Sequence, residues 1–272
     1  MKLQLLGTAA AEGWPAVFCG CGYCERAREL GGKNIRSRSQ AVIDDCILVD
    51  LPPDTYMHMA LNGLKLYEIE HLIVTHSHGD HWQPWELIMR GPGFSQKNAG
   101  VLTVYGNAAV MDGVRKIYNE QPGTEKYVAC RQLKPFESVR IGKYEITALR
   151  ALHKRDEECL LYLVGDGADR ILYGLDTGCF PEDTWAFLEN VKLSTVVLDC
   201  TFQGRAEGTN HMGLPDNVKV RQRLLETGAA NDKTAFIVHH FSHNGGLDHE
   251  TLETEAAKAG FLAAYDGMTV GE

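Results

Sequence analysis

The apolar run Leu72-Ile73-Val74 leads without a break into Thr75-His76-Ser77-His78-Gly79-Asp80-His81. No other feature restricts the chain so strongly, because a buried strand must deliver three imidazoles and a carboxylate to its end. In an extended segment, side chains two apart point the same way, so His76 and His78 can converge on one ion. Gly79 allows a sharp turn, after which Asp80 and His81 face a second position. Paired metals in hydrolases sit roughly 3.5 to 4 Å apart, and the run has the outline of such a site. A single His at a strand end is usually a satisfied polar residue. Four ligand-type side chains within six positions read as metal ligands.

The H-x-H-x-D-H run resembles the signature of the metallo-β-lactamase superfamily, whose members add a later His, a bridging Asp and a last His at further strand ends. Here Leu152-His153 follows the alternating segment Tyr144-Glu145-Ile146-Thr147-Ala148-Leu149. The run from Ile171 to Leu175 reads as a buried strand ending in Asp176, and Phe236-Ile237-Val238-His239-His240 as another ending in His. The resemblance implies that His76, His78 and His153 hold one metal, that Asp80, His81 and His240 hold the other, and that Asp176 bridges them. His239, next to His240, must point the other way. The implied fold is an α/β four-layer αββα sandwich, with both metals in a groove along one edge.

Cys19-Gly20-Cys21-Gly22-Tyr23-Cys24 packs three thiols into six residues. Structural zinc is normally tetrahedral with S and N ligands, so this knuckle lacks one donor, and His243, three residues beyond His240, is the candidate. Cys46, Cys130, Cys159, Cys179 and Cys200 are scattered in apolar contexts and read as buried thiols in a reducing, cytoplasmic compartment. Cys-x-Cys-x-x-Cys, Leu198-Asp199-Cys200-Thr201-Phe202, Asn210-His211-Met212-Gly213, His239-His240-Phe241-Ser242-His243 and Tyr265-Asp266-Gly267-Met268 together resemble the PhnP-type cyclic phosphodiesterases of the carbon-phosphorus lyase pathway. That resemblance, running from Cys19 to Met268, implies a small phosphodiester substrate such as a ribosyl cyclic phosphate.

Composition agrees with an enzyme built as one domain over 1–272. A chain of 272 residues that is 44 % hydrophobic can bury a large core. The formal charge of −9 counts no ions, and two divalent ions would make the cleft locally positive. Such a focused field favours a small anionic substrate, while an acidic exterior disfavours long nucleic acid. The opening strand Lys2-Leu3-Gln4-Leu5-Leu6 is too short for a signal peptide or membrane span. Oligomeric state is left open, a homodimer included.

Further along, 41–50 reads as a hairpin about Asp44-Asp45, 51–64 as a first helix and 107–118 as another. Segment 82–100 reads either as helical core filler, through Trp82, Trp85, Met89 and Phe94, or as a loop at the cleft mouth supplying substrate contacts. His58, His71 and His249 read as ordinary surface or helix-terminal residues.

For the chemistry, a hydroxide held near Asp80 would attack phosphorus, and His211, in a Gly-containing loop after the strand 195–199, is the candidate general acid. Asp199 matches the acidic residue that orients this His in tRNase Z, and a carboxylate partner raises a His pKa. The donor set accepts Zn²⁺ or Mn²⁺ in the active site, with one structural Zn²⁺ in the knuckle. Other readings of the same pattern are a tRNase Z-like endoribonuclease, a thioester or β-lactam hydrolase, and a non-catalytic metal-binding accessory protein.

Overall fold

The computed structural model describes residues 1–271. In chain order the strands are β1 Leu3–Gly7, β2 Gln40–Ile43, β3 Ile47–Val49, β4 His71–Ile73, β5 Leu102–Gly106, β6 Val128–Gln132, β7 Ser138–Ile141, β8 Tyr144–Arg150, β9 Leu160–Gly165, β10 Arg170–Gly174, β11 Thr195–Asp199, β12 Ala235–His239, β13 Leu262–Ala263 and β14 Met268–Val270. They make two seven-stranded sheets, ordered β14-β1-β2-β3-β4-β5-β6 and β13-β12-β11-β10-β9-β8-β7. Helices α1 Gly22–Leu30, α2 Thr55–Asn62, α3 Ala108–Glu120, α4 Glu182–Leu188, α5 Leu214–Glu226 and α6 His249–Lys258 complete the α/β sandwich.

Strand alternation builds the layers. Ala41 and Ile43 of β2 and Ile73 of β4 face the core between the sheets, whereas Val42, Leu72 and Val74 face a second core under α3. Neighbours along one strand thus feed opposite cores, as a period of two requires. In α3, Val110, Met111 and Val114 close that outer core, and Asn107 caps the helix by accepting from Val110 N at 3.0 Å. On the other side Leu188 of α4, Leu224 of α5 and Ala256 of α6 join the central core.

Sheet topology collects the chemistry at one edge. Strands β3, β4, β5 and β6 are mutually parallel, as are β10, β11, β12 and β13. β8 and β10 both run antiparallel to β9 between them, so β8 ends where β10 ends. The residues just after β3, β4, β8, β10, β11 and β12 are therefore brought to common strand ends. The β2–β3 hairpin turns on Asp44 and Asp45, both left-handed (φ 47° and 55°), as a two-residue turn of this hand needs.

Three expectations change. Helix 51–64 is confined to α2, because Thr55 Oγ1 closes onto Pro52 O (2.7 Å) and Gly63 leaves the helix at φ 63°. It is preceded by α1, which buries only Cys24 and Ala27 and so lacks the apolar stripe that marks a helix in sequence. Segment 82–100 forms a short 3₁₀ stretch, Pro84–Arg90, with Trp82 buried and Trp85, Met89 and Phe94 exposed. Among the described residues, no helix is long and apolar enough to cross a membrane.

Candidate metal centre

The seven side chains expected at strand ends meet at one place. His76, His78, His153 and Asp176 offer donor atoms within 4.8 Å of one another, and so do Asp80, His81, Asp176 and His240. His78 Nδ1 is 3.1 Å from His153 Nε2, His81 Nε2 is 3.3 Å from His240 Nε2, and Asp176 Oδ2 lies 3.3 Å from His76 Nε2 and 3.1 Å from His81 Nε2. Donors about 2.1 Å from a shared ion would be separated by about 3.0 to 3.4 Å at octahedral or tetrahedral angles.

Hydrogen bonding alone does not account for this convergence. His76 Nε2 and Asp176 Oδ1 are buried without a hydrogen-bond partner, although His240 Nε2 stands 2.7 Å from that oxygen. A buried polar group left so is costly, and a divalent cation removes the cost. The donor set therefore fits two such ions.

Charge tells the same story. Burial works against protonation of His81, but Asp176, Asp80 and Asp50 outweigh it and raise its pKa well above the ordinary value. His240 is likewise raised, to about 10, by Asp176, Asp80 and Asp199 against the effect of burial. Burial would lift Asp80 and Asp176, yet the facing imidazolium charges hold both below the usual carboxylate range. Without metal, protons stand where the cluster demands positive charge.

The rings are aimed from behind, as ligating imidazoles usually are. His81 Nδ1 meets Asp50 Oδ2 at 2.7 Å, and Asp50 also accepts from Thr75 N at 2.8 Å. His153 Nδ1 donates to Asn210 O (3.0 Å) and His240 Nδ1 faces Thr201 Oγ1 (2.9 Å). Asp50, Asp176 and His240 adopt left-handed backbone at φ 63°, 52° and 63°, a cost that persists only where the surroundings over-determine it. Asp50 and Thr201 escaped the sequence reading. Asp50 carried a usable signal, since it ends the buried run Ile47-Leu48-Val49 just as Asp176 ends its strand.

A cleft of about 370 Å³ opens onto His78, Asp80, His153, Asp176 and His240, walled by Ala10, Ala11, Glu12, Phe202, Asn210, His211 and Asn244, with no Lys or Arg in its lining. His211 Nδ1 lies 2.7 Å from Asp199 Oδ2, and Asp199 is fully buried. Burial opposes charge on His211, but Asp199 prevails and raises its pKa. Nothing from 82–100 lines this cleft; Leu87, Met89, Arg90 and Asn98 instead line an apolar cavity of about 280 Å³ with Leu48 and Leu72.

Gly79 is not left-handed, and an added Cβ would meet only Gln83 Nε2 at 3.5 Å. The turn expected of that glycine is held by Trp82 N and His81 N donating to His78 O. His58 and His249 are buried, His249 at the helix-terminal place expected of it as the first residue of α6, His58 inside α2 and not at the surface. His58 binds Gln40 Oε1 and Ser37 Oγ, both at 2.7 Å, and burial pushes it down to about 4.

The four knuckle residues also meet. Cys21 Sγ, Cys24 Sγ and Cys19 Sγ lie 3.4, 3.5 and 4.0 Å from His243 Nδ1, against an S–N edge of about 3.6 Å for tetrahedral zinc with Zn–S near 2.3 Å and Zn–N near 2.0 to 2.1 Å. The Cys24 backbone N–H, then His243, lowers the Cys21 thiol to about 6, while burial pushes Cys24 up to about 11. All eight cysteines are free thiols.

Two facing mixed sheets with His and Asp gathered at strand ends define the metallo-β-lactamase class of fold. The chain belongs to the beta-lactamase superfamily, whose domain model matches residues 46–241, a family made up largely of metal-dependent hydrolases. Among solved structures it is similar to a diphosphatase of the PhnP family, with 20 % identity over 100 % of this chain and 97 % of that one at a TM-score of 0.77. It is also similar to Zn²⁺-bound PqqB from Methylobacterium extorquens (16 % identity, all of both chains, TM-score 0.77) and to the short form of human tRNase Z (17 %, 100 % of this chain and 99 % of that one, 0.65). At these identities the likeness is one of fold. No curated protein sequence matches the chain significantly.

Proposed function

We propose that the chain is a metal-dependent phosphodiesterase acting on a small, singly charged phosphodiester, cyclic esters foremost. The observation that carries this reading is the cleft itself: metal-type ligands on the floor, His211 paired with Asp199 on the wall, and no Lys or Arg around them. A phosphomonoester or diphosphate brings two or more charges and ordinarily meets Arg or Lys. A diester brings one, which two cations and one imidazolium can match.

His76, His78 and His153 would hold one ion, Asp80, His81 and His240 the other, and Asp176 would bridge them. Divalent ions there, Zn²⁺ or Mn²⁺, would supply a water acidified toward neutral pH and positive charge against the phosphoryl oxygens. The chain's own groups do the rest. Asp199 accepts from His211 Nδ1, which fixes the ring orientation and leaves Nε2 to carry the transferable proton. Protonated at Nε2, His211 donates to the departing alkoxide oxygen; Asp80 accepts a hydrogen bond from the attacking water. Cys19, Cys21, Cys24 and His243 would hold a structural Zn²⁺ that ties α1 to the segment after His240.

The test is a substrate panel on fully loaded protein. Bis-p-nitrophenyl phosphate and 2′,3′-cyclic nucleotides should turn over, whereas p-nitrophenyl phosphate, an inorganic diphosphate, a thioester and a β-lactam should not. Preference for the diphosphate or thioester would replace this reading, and turnover of none would favour an accessory role.

A further inference from the structure

The stretch Lys154-Arg155-Asp156-Glu157-Glu158, between His153 and β9, looks like a solvated charged turn. Its side chains divide sharply: Asp156 is 81 % and Glu158 57 % exposed, but Glu157 only 3 %. A carboxylate is buried this way only when its oxygens are satisfied, and Glu157 receives four donors. Ser77 N (2.8 Å) and Ser77 Oγ (2.5 Å) come from the His76-Ser77-His78 segment. Asn107 Nδ2 (2.7 Å) comes from the cap of α3, and Lys154 Nζ (3.1 Å) from the residue after His153. Burial would raise the pKa of Glu157, but the Ser77, Asn107 and Lys154 hydrogen bonds outweigh it and keep the carboxylate ionised.

Ser77 lies between His76 and His78 and turns both its N–H and its Oγ to Glu157, so Glu157 holds the segment that presents those two imidazoles. Asn107 Nδ2 also donates to Glu158 O (3.0 Å), anchoring the turn to α3. Resting on the reading that His76, His78 and His153 share an ion, we propose that Glu157 is the positioning residue of that metal position, setting the His153 loop against the His76-His78 segment. The other supports fall elsewhere: Asp50 stands behind His81 and, through Thr75 Oγ1, behind His76, and Thr201 stands behind His240. Glu157 joins the turn after His153 to the His76-His78 segment, so its loss should fall first on the ion those three residues would share.

The test compares Zn²⁺-loaded wild type, Glu157→Gln and Glu157→Ala by elemental analysis after dialysis against graded EDTA, with the melting temperature of each stripped protein measured alongside. Asp248→Ala, which removes the N-cap of α6 (Thr251 N to Asp248 Oδ1, 3.0 Å) away from the cleft, serves as a destabilised control. Wild type should release zinc in steps from three positions. In Glu157→Ala one cleft ion should leave at EDTA concentrations about 10-fold lower, the low end of what losing a direct partner of a ligand brings, because Glu157 acts through Ser77, while the other cleft ion and the knuckle ion keep their midpoints. Glu157→Gln keeps the shape and one acceptor oxygen and should fall between; it also serves if the alanine variant does not fold. Unchanged release in both variants would overturn the proposal, and so would parallel loss of both cleft ions matching Asp248→Ala at equal loss of melting temperature. A wild type that holds only the knuckle ion would sink the two-metal reading itself, and this inference with it.

Discussion

The cleft cluster and the cysteine knuckle hang from the same short stretch, His240 serving one and His243 the other, yet they are built in opposite ways. The cleft draws its donors from distant segments, spanning residues 76 to 240, and holds Asp176 and His240 in left-handed backbone. Its geometry is imposed by two packed sheets before any ion arrives. The knuckle draws three donors from one six-residue loop, and its single long-range partner is His243. Cys24 is anchored in the core and accepts from Ala16 N, whereas Cys19 and Cys21 are only half-buried. On the proposed reading one site would use the fold's stability to prepare chemistry and the other would use an ion to supply stability, so removing each should have contrasting consequences.

The largest expected effect is on the cleft. His76→Ala and Asp80→Ala should each remove a cleft ion and abolish turnover, while elemental analysis still finds the knuckle zinc. Loss of the knuckle ion in either variant would mean that the two sites are one cooperative unit.

Next comes His211, which the proposed mechanism makes the proton donor although its ring also stands within reach of Asp176 and His240. His211→Ala should leave metal content intact and lower kcat by roughly 10² to 10⁴ on diesters with poor alkoxide leaving groups. On bis-p-nitrophenyl phosphate, whose leaving group departs unprotonated, the loss should be much smaller. Equal losses on both would assign His211 to phosphate binding and leave proton delivery to another group.

How much of this was legible in sequence follows from how local each feature is. His76, His78, Asp80 and His81 share one short run, and the thiols another, so period and spacing expose them directly. His153, Asp176, Asp199, His211 and His240 stand at or after apolar strands, and the family pattern pointed to them. Asp50 and Glu157 were missed because what matters about them is a partner far along the chain: His81 for one, Ser77 for the other. Segment 82–100 stays open between two readings in sequence for a related reason. Its aromatics signal burial or a cleft with equal force, and only the packing of Leu87 and Trp82 over the outer core decides which face they serve.

A smaller effect, on stability and not on rate, is expected at the knuckle. Cys21→Ser removes one thiolate from a site whose ion contributes folding free energy directly. A loss of several kcal/mol at about 2 to 4 °C each should lower the melting temperature by roughly 10 °C, with kcat per folded molecule nearly unchanged. A kcat loss as deep as that of His76→Ala would break the contrast between the two sites.

The smallest effect is a pH dependence that separates cleft protons from cleft metal. In protein stripped of cleft ions but retaining the knuckle zinc, His240 carries a pKa raised from 6.5 to about 10. A raised pKa contributes stability that is fully present below the unfolded value and is lost as pH climbs through the folded one. Stripped protein should therefore lose stability between pH 6.5 and about 10. Asp80 and Asp176, whose values are depressed, lose their contribution only as pH falls through those low values, well below this window. Loaded protein behaves oppositely, because ligation needs neutral imidazoles and ion binding strengthens as protons leave. One proton corresponds to about 1.4 kcal/mol per pH unit, so each imidazole that gives up a proton should widen the gap in melting temperature between loaded and stripped protein by roughly 3 to 6 °C per unit. A pair of melting series across that range reads it directly. A gap that stays constant would show that the groups giving up protons to the metal are not His81 and His240, and the second metal position would lose its ligands.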